Sequence, residues 1–221
     1  MFLDAVELAP VATPKKATEL EAALAQWSAP PLSQIGHHGA RCCDAARSWL
    51  LGMDVANRGA MPALVGPRWI RGLYKWGPSR WPIYWCEAVR EKTLDCGALA
   101  WMTREVLRAR GLSCFLAQSV QRYGEETTSH WAASWHAGGQ SPQWVRGGLV
   151  YHEICAIAMP DGTLRLWDPS AGWWLEESVK DGYGSLAALR IADPTGELYN
   201  TPVSWAGQTI NAGIWALLKT E

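Results

Sequence analysis

Runs of basic residues are missing from this chain, and no stretch of Lys or Arg exceeds two residues in its 221. The formal net charge is only −1. Binding to nucleic acid or to an anionic membrane needs concentrated positive charge, so we expect neither as a partner. A peptide or a small amide or thioester is the expected substrate class.

Long hydrophobic runs are also missing, and no window approaches the roughly 18 uncharged apolar residues typical of a membrane span. The first residues include Asp4 and Glu7 and no basic leading region, unlike a secretory signal. Six cysteines are too few for a disulfide scaffold at this length. We therefore expect reduced thiols and a cytoplasmic location.

Phenylalanine is scarce, with 2 Phe against 15 Trp. The Trp residues are spread along the chain from Trp27 to Trp215. Trp buries a large apolar ring and needs only one hydrogen-bond acceptor. This distribution favours a Trp-rich core over an aromatic-lined substrate groove.

The composition, 48% hydrophobic and 19% charged, is typical of a globular protein. We predict a single domain over 1–221, with helical and loop elements at 1–90, a central core at 91–175 and a C-terminal extension at 176–221. Helices are predicted at about 18–27, with Thr18 in a capping box, and at 41–56. Residues 59–85 are rich in Pro, Gly and aromatics, which predicts a long loop of the kind that often lines a site.

The central core shows a more regular pattern. Apolar residues at helical spacing predict a helix that begins at Cys96 and ends near Gly111. A strand follows at 113–120, then a polar, Gly-rich loop at 122–147. Two further strands flank the turn sequence PDG. A helix followed by consecutive strands on one core predicts an α+β fold, with the helix packed on an antiparallel sheet.

Cys96 stands at the first turn of that helix. A helix N-terminus stabilises a thiolate, which predicts a lowered pKa for Cys96. Its free N–H groups can also bind the oxyanion of a tetrahedral intermediate. A lone cysteine is more often a buried structural residue, so a catalytic role requires partners.

His152 and Asp168 are the candidate partners, each in one strand of the hairpin. A two-residue Asp161-Gly162 turn would place them on opposite faces of the sheet. A three-residue loop with Gly162 in the left-handed conformation would pair Asp168 with Ile154. His152 would then be a diagonal neighbour on the same face, close enough to hydrogen bond. Sequence leaves both registers open.

These residues resemble the catalytic core of the transglutaminase-like superfamily, a papain-like Cys-His-Asp fold. The similar sequence is LDCGALAWMTREVLRARGLSCFLAQSV followed by YHEICAIAMPDGTLRLWDPSAGWW, over about 93–174. The resemblance implies that Cys96 is the nucleophile, that His152 is the base and later the acid, and that Asp168 orients the imidazole. Glu153 and Ile154 stand where the family often has Ala-Trp, and the first 90 residues match no family pattern.

The chemistry implied is acyl transfer at an amide or thioester carbonyl through an acyl-enzyme. We favour hydrolysis, as in a peptidase or amidase. An amide-forming or amine-exchanging transferase is the first alternative, and a peptide-binding module without catalysis is the second. There is no Walker loop and no dinucleotide fingerprint, so we expect no organic cofactor.

The motif GHHGARCC invites a zinc-site interpretation through His37, His38, Cys42 and Cys43. Side chains of adjacent residues are expected to point apart, and the usual Cys-x-x-Cys spacing is absent. Cys43 also falls on the apolar face of the predicted helix. We therefore expect no metal. We also expect Cys155 to pack in the core, facing away from His152, and His130 and His136 to lie in a mobile loop.

Overall fold

The computed structural model describes residues 14–27, 34–58, 66–175, 184–192 and 202–218. The chain divides into two compact units, residues 1–30 and 31–221. Residues 1–13, on which the signal-sequence expectation depended, and 59–65 of the predicted loop lie outside the described residues. The single-domain organisation stays a prediction.

The first unit contains helix α1 (Pro14–Trp27). The helix predicted at 18–27 is confirmed, but it begins four residues earlier, so Thr18 is not its N-cap. Proline suits the first helical position because its missing N–H would have no partner there in any case.

The second unit contains the other described helices and a π-helical turn at Ala40–Asp44 that leads into α2. These helices are α2 (Ala45–Arg58), α3 (Arg68–Leu73), α4 (Trp85–Ala88), α5 (Cys96–Ala109) and α6 (Glu125–Ala137). The helices predicted at 41–56 and from Cys96 are confirmed. The π-helical turn at the start of the former was not predicted.

A seven-stranded sheet has the order β11-β8-β3-β5-β6-β7, with β4 paired to β5. Its strands are β3 (Cys114–Arg122), β4 (Val145–Arg146), β5 (Leu149–Ala158), β6 (Leu164–Asp168), β7 (Trp173–Trp174), β8 (Ser185–Ile191) and β11 (Ala216–Leu217). All of its paired strands are antiparallel. The α+β class is confirmed, and the segment after residue 176 supplies two strands of the sheet.

Two small sheets complete the described strands. Strands β1 (Lys75–Trp76) and β2 (Thr93–Leu94) pair in parallel just before α5. Strands β9 (Val203–Trp205) and β10 (Gln208–Ile210) pair antiparallel. Within the described residues, none of the helices is both long and apolar enough to cross a bilayer.

The β5–β6 hairpin adopts the register of the three-residue loop. Cys155 pairs with Trp167 and Ala158 pairs with Leu164. Gly162 has φ +79°, the left-handed conformation that this loop requires. Continuing the register places Asp168 opposite Ile154, as the three-residue alternative predicts.

Apolar side chains cover both faces of the sheet. On β3, Cys114 and Leu116 pack with Leu99, Met102 and other residues of α5. Their neighbours Phe115 and Ala117 belong to a second cluster, which includes residues of β9 and β10. Because side chains alternate along β3, each face of the sheet packs against a different cluster. Helix α5 packs on the face that carries Cys114 and Leu116.

A buried ion pair anchors the far end of α5. Asp54 on α2 accepts from Arg110 Nε at 2.9 Å and from the Trp69 indole N–H at 2.9 Å. The Asp54 and Arg110 side chains are 6% and 4% exposed. Because each charge is paired within the core, this contact joins α2, α3 and the C-terminus of α5.

The segment 122–147 is not the loop that was predicted, because α6 occupies much of it. Trp131 and Trp135 of α6 contact the ring of Trp76, with centroids 6.3 and 5.6 Å apart. Trp144 packs edge-on against Trp76 at 5.5 Å. Tertiary packing of these rings stabilises a helix whose local sequence is polar.

Candidate active site

Helix α5 begins at Cys96, and Asp95 is its N-cap. The Asp95 side chain accepts the Ala98 N–H at 2.9 Å and the Trp81 indole N–H. The Asp95 backbone N–H donates to Ser79 Oγ at 2.7 Å. These contacts hold the first turn in place, so the half-buried Cys96 thiol has a fixed position.

His152 on β5 and Asp168 at the end of β6 are joined by a hydrogen bond. His152 Nε2 lies 2.9 Å from Asp168 Oδ1, and both side chains are buried. Asp168 Oδ1 also accepts the N–H groups of Ser170 at 2.8 Å and Ala171 at 3.3 Å. The carboxylate is thus held by the turn after β6, and it fixes the orientation of the imidazole ring.

Cys96 and His152 line the same cavity, and each affects the pKa of the other. Since Nε2 is engaged by Asp168, Nδ1 is the ring nitrogen left for the sulfur. The structure therefore brings together all three residues predicted from sequence. Their order, Cys96 to His152 to Asp168, is that of a nucleophile, a base and an orienting group.

The pKa of Cys96 departs from the sequence expectation. Burial raises the pKa of the thiol, the hydrogen bond and charge of His152 oppose this, and the carboxylates of Glu153 and Asp95 raise it further. The net direction is upward, so the predicted lowering is wrong. The helix N-terminus does not outweigh burial and two nearby negative charges.

The pKa of His152 is also raised. Burial acts to lower its pKa, but the charge and hydrogen bond of Asp168, together with Cys96, raise it well above the ordinary value. Both groups therefore favour their protonated forms.

The three residues line a cavity of about 330 Å³. One wall is aromatic and comes from strand β1 and from the segment 123–144. It contains Trp76, Tyr123, Trp131, Trp135 and Trp144. Arg71 and Trp76 come from the region predicted as a site-lining loop. The interpretation of the Trp residues as core alone is therefore incomplete, although Trp85, Trp101 and Trp167 are buried as expected.

Tyr151 and Glu153, which line the same cavity, belong to a chain of hydrogen-bonded polar side chains. Arg190 Nε donates to Gln118 Oε1 at 2.6 Å, and Gln118 Nε2 donates to Tyr151 Oη at 2.8 Å. Tyr151 Oη donates in turn to Glu153 Oε1 at 2.7 Å. Burial and the Glu153 charge raise the pKa of Tyr151 well above its ordinary value, so the phenol keeps its proton.

Sequence reasoning missed Gln118 and Arg190. The signal that could have found them was the alternation of polar residues on β5. Tyr151 and Glu153 are polar residues on one face of an otherwise apolar strand, which indicates a polar partner across the ladder. Gln118 is that partner, because it pairs with Glu153 in the β3–β5 register.

The other residues considered from sequence lie elsewhere. His130 and His136 are exposed on α6 and are not among the residues that line the cavity. Cys155 is fully buried and donates to the carbonyl oxygen of Ala100 at 3.3 Å, which confirms its core packing.

One expectation about the cysteines is wrong. The sulfurs of Cys42 and Cys43 do not point apart but lie 3.8 Å from each other. The two residues lie in the π-helical turn, where residue spacing differs from that of a regular helix. His38 and Cys86 complete a group with metal-ligating atoms within 4.8 Å of one another.

The chain matches no protein-family model, no curated protein and no solved structure. Family and activity are therefore inferred from the sequence motif and from the geometry of the cavity.

Proposed function

We propose that this protein is a cysteine-nucleophile acyl-transfer enzyme of the transglutaminase-like type, acting on an amide or thioester carbonyl. The observation that supports this most strongly is that Cys96, His152 and Asp168 line one cavity, with His152 hydrogen bonded to Asp168. The proposed mechanism needs a nucleophile, a base and an orienting carboxylate close together, and these three side chains would supply them in that order. The transglutaminase-like fold is likewise a proposal, supported by the sequence motif and by α5 packed on the antiparallel sheet.

In the proposed reaction, the Cys96 sulfur attacks the carbonyl carbon as its proton passes to His152 Nδ1. The tetrahedral intermediate collapses, the C–N or C–S bond breaks, and His152 returns the proton to the leaving amine or thiol. Water then attacks the acyl-enzyme while His152 accepts its proton. Release of the carboxylic acid restores the Cys96 thiol.

The raised pKa values specify the protonation state that reacts. A half-buried thiol near two carboxylates does not rest as a stable thiolate. Proton transfer to His152 therefore accompanies attack on the carbonyl. Since His152 must be neutral to accept that proton, activity should increase as pH rises above the ordinary pKa of imidazole.

The start of α5 offers a binding place for the oxyanion. The Ala98 N–H is already used by Asp95, but the Cys96 N–H donates to no backbone carbonyl among the described residues. This N–H lies at the positive end of α5, beside the attacking sulfur. It is the donor that we assign to the negative charge of the tetrahedral intermediate.

The cavity walls favour an organic acyl donor with an apolar or aromatic portion. Four Trp rings and Tyr123 line it, and stacking on such rings stabilises peptide side chains and other flat groups. We favour hydrolysis, because water is always present as an acceptor. An amine acceptor is the alternative, and the carboxylates of Asp95 and Glu153 near Cys96 would attract its ammonium form.

Trapping of an acyl-enzyme tests this proposal. Full-length protein is mixed with p-nitrophenyl esters and small thioesters of aromatic and aliphatic acids, then quenched in acid for intact-mass and peptide mapping. We expect an acyl adduct on Cys96 and none at this position in Cys96→Ala. Cys114→Ala, which alters a buried cysteine of β3 that does not line the cavity, is the matched control and should acylate normally.

The fate of the adduct separates the alternatives. Decay at a rate independent of added amine marks a hydrolase, whereas faster decay with an amide product marks a transferase. A binding module predicts a different result, namely no adduct at Cys96 and ligand affinity unaffected by Cys96→Ala.

A further inference from the structure

A second group of reactive side chains lies apart from the catalytic cavity. We define the Cys/His cluster as His38, Cys42, Cys43 and Cys86, none of which lines that cavity. Cys42 and Cys43 belong to the π-helical turn, His38 precedes it, and Cys86 belongs to α4. Two segments far apart in sequence thus converge.

Four distances within this cluster are close to those of a tetrahedral ion, and a fifth contact, His38 Nδ1 to Cys43 Sγ at 3.1 Å, is a hydrogen bond. Cys43 Sγ lies 3.8 Å from Cys42 Sγ and 4.0 Å from Cys86 Sγ. His38 Nε2 lies 3.8 Å from the sulfurs of both Cys42 and Cys86. Zn–S bonds of about 2.3 Å and Zn–N bonds of about 2.0–2.1 Å at tetrahedral angles imply S···S of about 3.8 Å and S···N of about 3.6 Å.

We propose that the Cys/His cluster is a structural zinc site with three thiolate ligands and one imidazole ligand. A Cys₃His set at tetrahedral spacing selects zinc over the oxygen-preferring cations Mg²⁺ and Ca²⁺. Four protein ligands leave no open position for water or substrate, so the site stabilises the fold and performs no chemistry. Binding releases the thiol protons of the cysteines that become thiolates.

The backbone holds the ligands together independently of any ion. The Gly36 N–H donates to the Ile83 carbonyl at 2.8 Å, and the Trp85 N–H donates to the Gly36 carbonyl at 3.1 Å. The ring of His38 also lies against that of Tyr84, with centroids 4.3 Å apart. These contacts align the segment containing His38 with α4, and the site is therefore preorganised.

The position of the cluster specifies its role. The π-helical turn leads into α2, which contacts both α4 and α5. A zinc ion at this point would tie the start of α2 to α4, on the side of the core where α5 is packed. Its loss should therefore lower stability and leave the chemistry of Cys96 intact in protein that remains folded.

Metal content of the full-length protein tests the proposal. The chain is expressed in zinc-containing medium, purified without chelators and measured by inductively coupled plasma mass spectrometry. We expect one zinc per chain in the wild type, and background levels in Cys42→Ser and Cys86→Ser. Cys96→Ala and Cys114→Ala are the matched controls and should keep the full zinc content.

Metal exchange in the wild type covers the case in which a variant fails to fold. Zinc is removed with a chelator under reducing conditions, and Co²⁺ is added. We expect the visible bands of tetrahedral cobalt and the near-ultraviolet thiolate-to-metal band, with a higher thermal midpoint after zinc is restored. A reduced wild-type protein that binds neither ion overturns the proposal, as does zinc content unchanged by Cys86→Ser. A Cys43–Cys86 disulfide, seen as a mass lower by two hydrogens in freshly purified protein, also overturns it.

Discussion

His152 Nε2 lies 2.9 Å from Asp168 Oδ1, although the two residues are 16 positions apart and belong to different strands. The three-residue loop at Gly162 sets the register that brings them together. This hydrogen bond engages Nε2 and leaves Nδ1 as the ring nitrogen available to Cys96. The proposed function depends on that orientation more than on any other contact of His152.

Asp168→Asn tests the orienting role. The amide keeps an oxygen that can accept the N–H groups of Ser170 and Ala171, but it removes the charge beside His152. We expect kcat to fall by roughly 10³–10⁴-fold with a measurable residual rate, because the nucleophile remains in place. Steady-state kinetics on the ester that gives the acyl-enzyme measures this effect.

The pH profile provides the control for that variant. Asp168 raises the pKa of His152, so its neutralisation should lower the apparent pKa and move the rising limb of kcat/KM toward acid. A purely structural role for Asp168 predicts lower activity with an unshifted profile. Such a result would remove Asp168 from the proposed triad.

Glu153→Gln tests the electrostatic effect on the nucleophile. The Glu153 carboxylate raises the pKa of Cys96, so removing its charge should lower that pKa and increase alkylation at neutral pH. The measurement is the rate of iodoacetamide labelling at Cys96 as a function of pH. The matched control is Glu105→Gln. Glu105 lies on the same helix as Cys96 and pairs with Arg47, and its substitution should leave the labelling profile unchanged. Identical profiles for wild type and Glu153→Gln would contradict this account.

Trp131→Ala tests the aromatic wall. The ring of Trp131 lies in the cavity wall and contacts Tyr123 at 4.9 Å, whereas it does not belong to the triad. We expect KM for an aromatic acyl donor to rise roughly tenfold, about 1.4 kcal/mol, with kcat little changed. Trp49→Ala, at an exposed position on α2, is the control. An unchanged KM would show that substrate does not use this wall.

Asp54→Asn tests the anchor of α5. Burial acts to raise the pKa of Asp54, but the hydrogen bonds from Arg110 and Trp69 and the Arg110 charge lower it overall. Removing the charge leaves Arg110 buried without its ion partner, so we expect a loss of about 3–5 kcal/mol in the free energy of unfolding at neutral pH. Urea unfolding measures this free energy. The control is Asp161→Asn, in an exposed turn, whose free energy of unfolding should change little.

The sign of the pH dependence follows from the lowered pKa. The Asp54 contribution is present above the unfolded pKa of about 3.9, and it disappears as pH falls through the lower folded value. The difference between wild type and Asp54→Asn should therefore shrink on acidification below about pH 4. A difference that stays constant into strong acid would mean that the ion pair is not its cause.

Local patterns in the sequence were enough to predict much of the central core at 91–175. Helical spacing gave the start of α5 at Cys96, and the turn at Gly162 limited His152 and Asp168 to two registers. The choice between those registers needed the structure. Helix α6 was missed because its stability comes from Trp131 and Trp135 packing on a ring far away in sequence.

Two features of the sites depended wholly on tertiary structure. The pKa of Cys96 is governed by burial and by Glu153, and neither effect can be derived from the residues beside Cys96 in the helix. Sequence analysis weighed His38, Cys42 and Cys43 as metal ligands and rejected them, because adjacent cysteines were expected to point apart. The π-helical turn that brings Cys42 and Cys43 together, and the approach of Cys86 from 48 positions after His38, could be seen only in the structure.

The central claim is that His152 activates Cys96, and site-resolved alkylation tests it most directly. Wild type and His152→Ala, each with its fold checked by circular dichroism, are treated with iodoacetamide at pH 7.5 and mapped by mass spectrometry. We predict that His152→Ala slows labelling of Cys96 by at least about tenfold, while labelling of Cys42 and Cys86 is unchanged. If Cys96 labels at the same rate in both proteins, His152 does not activate it and the proposed mechanism is wrong.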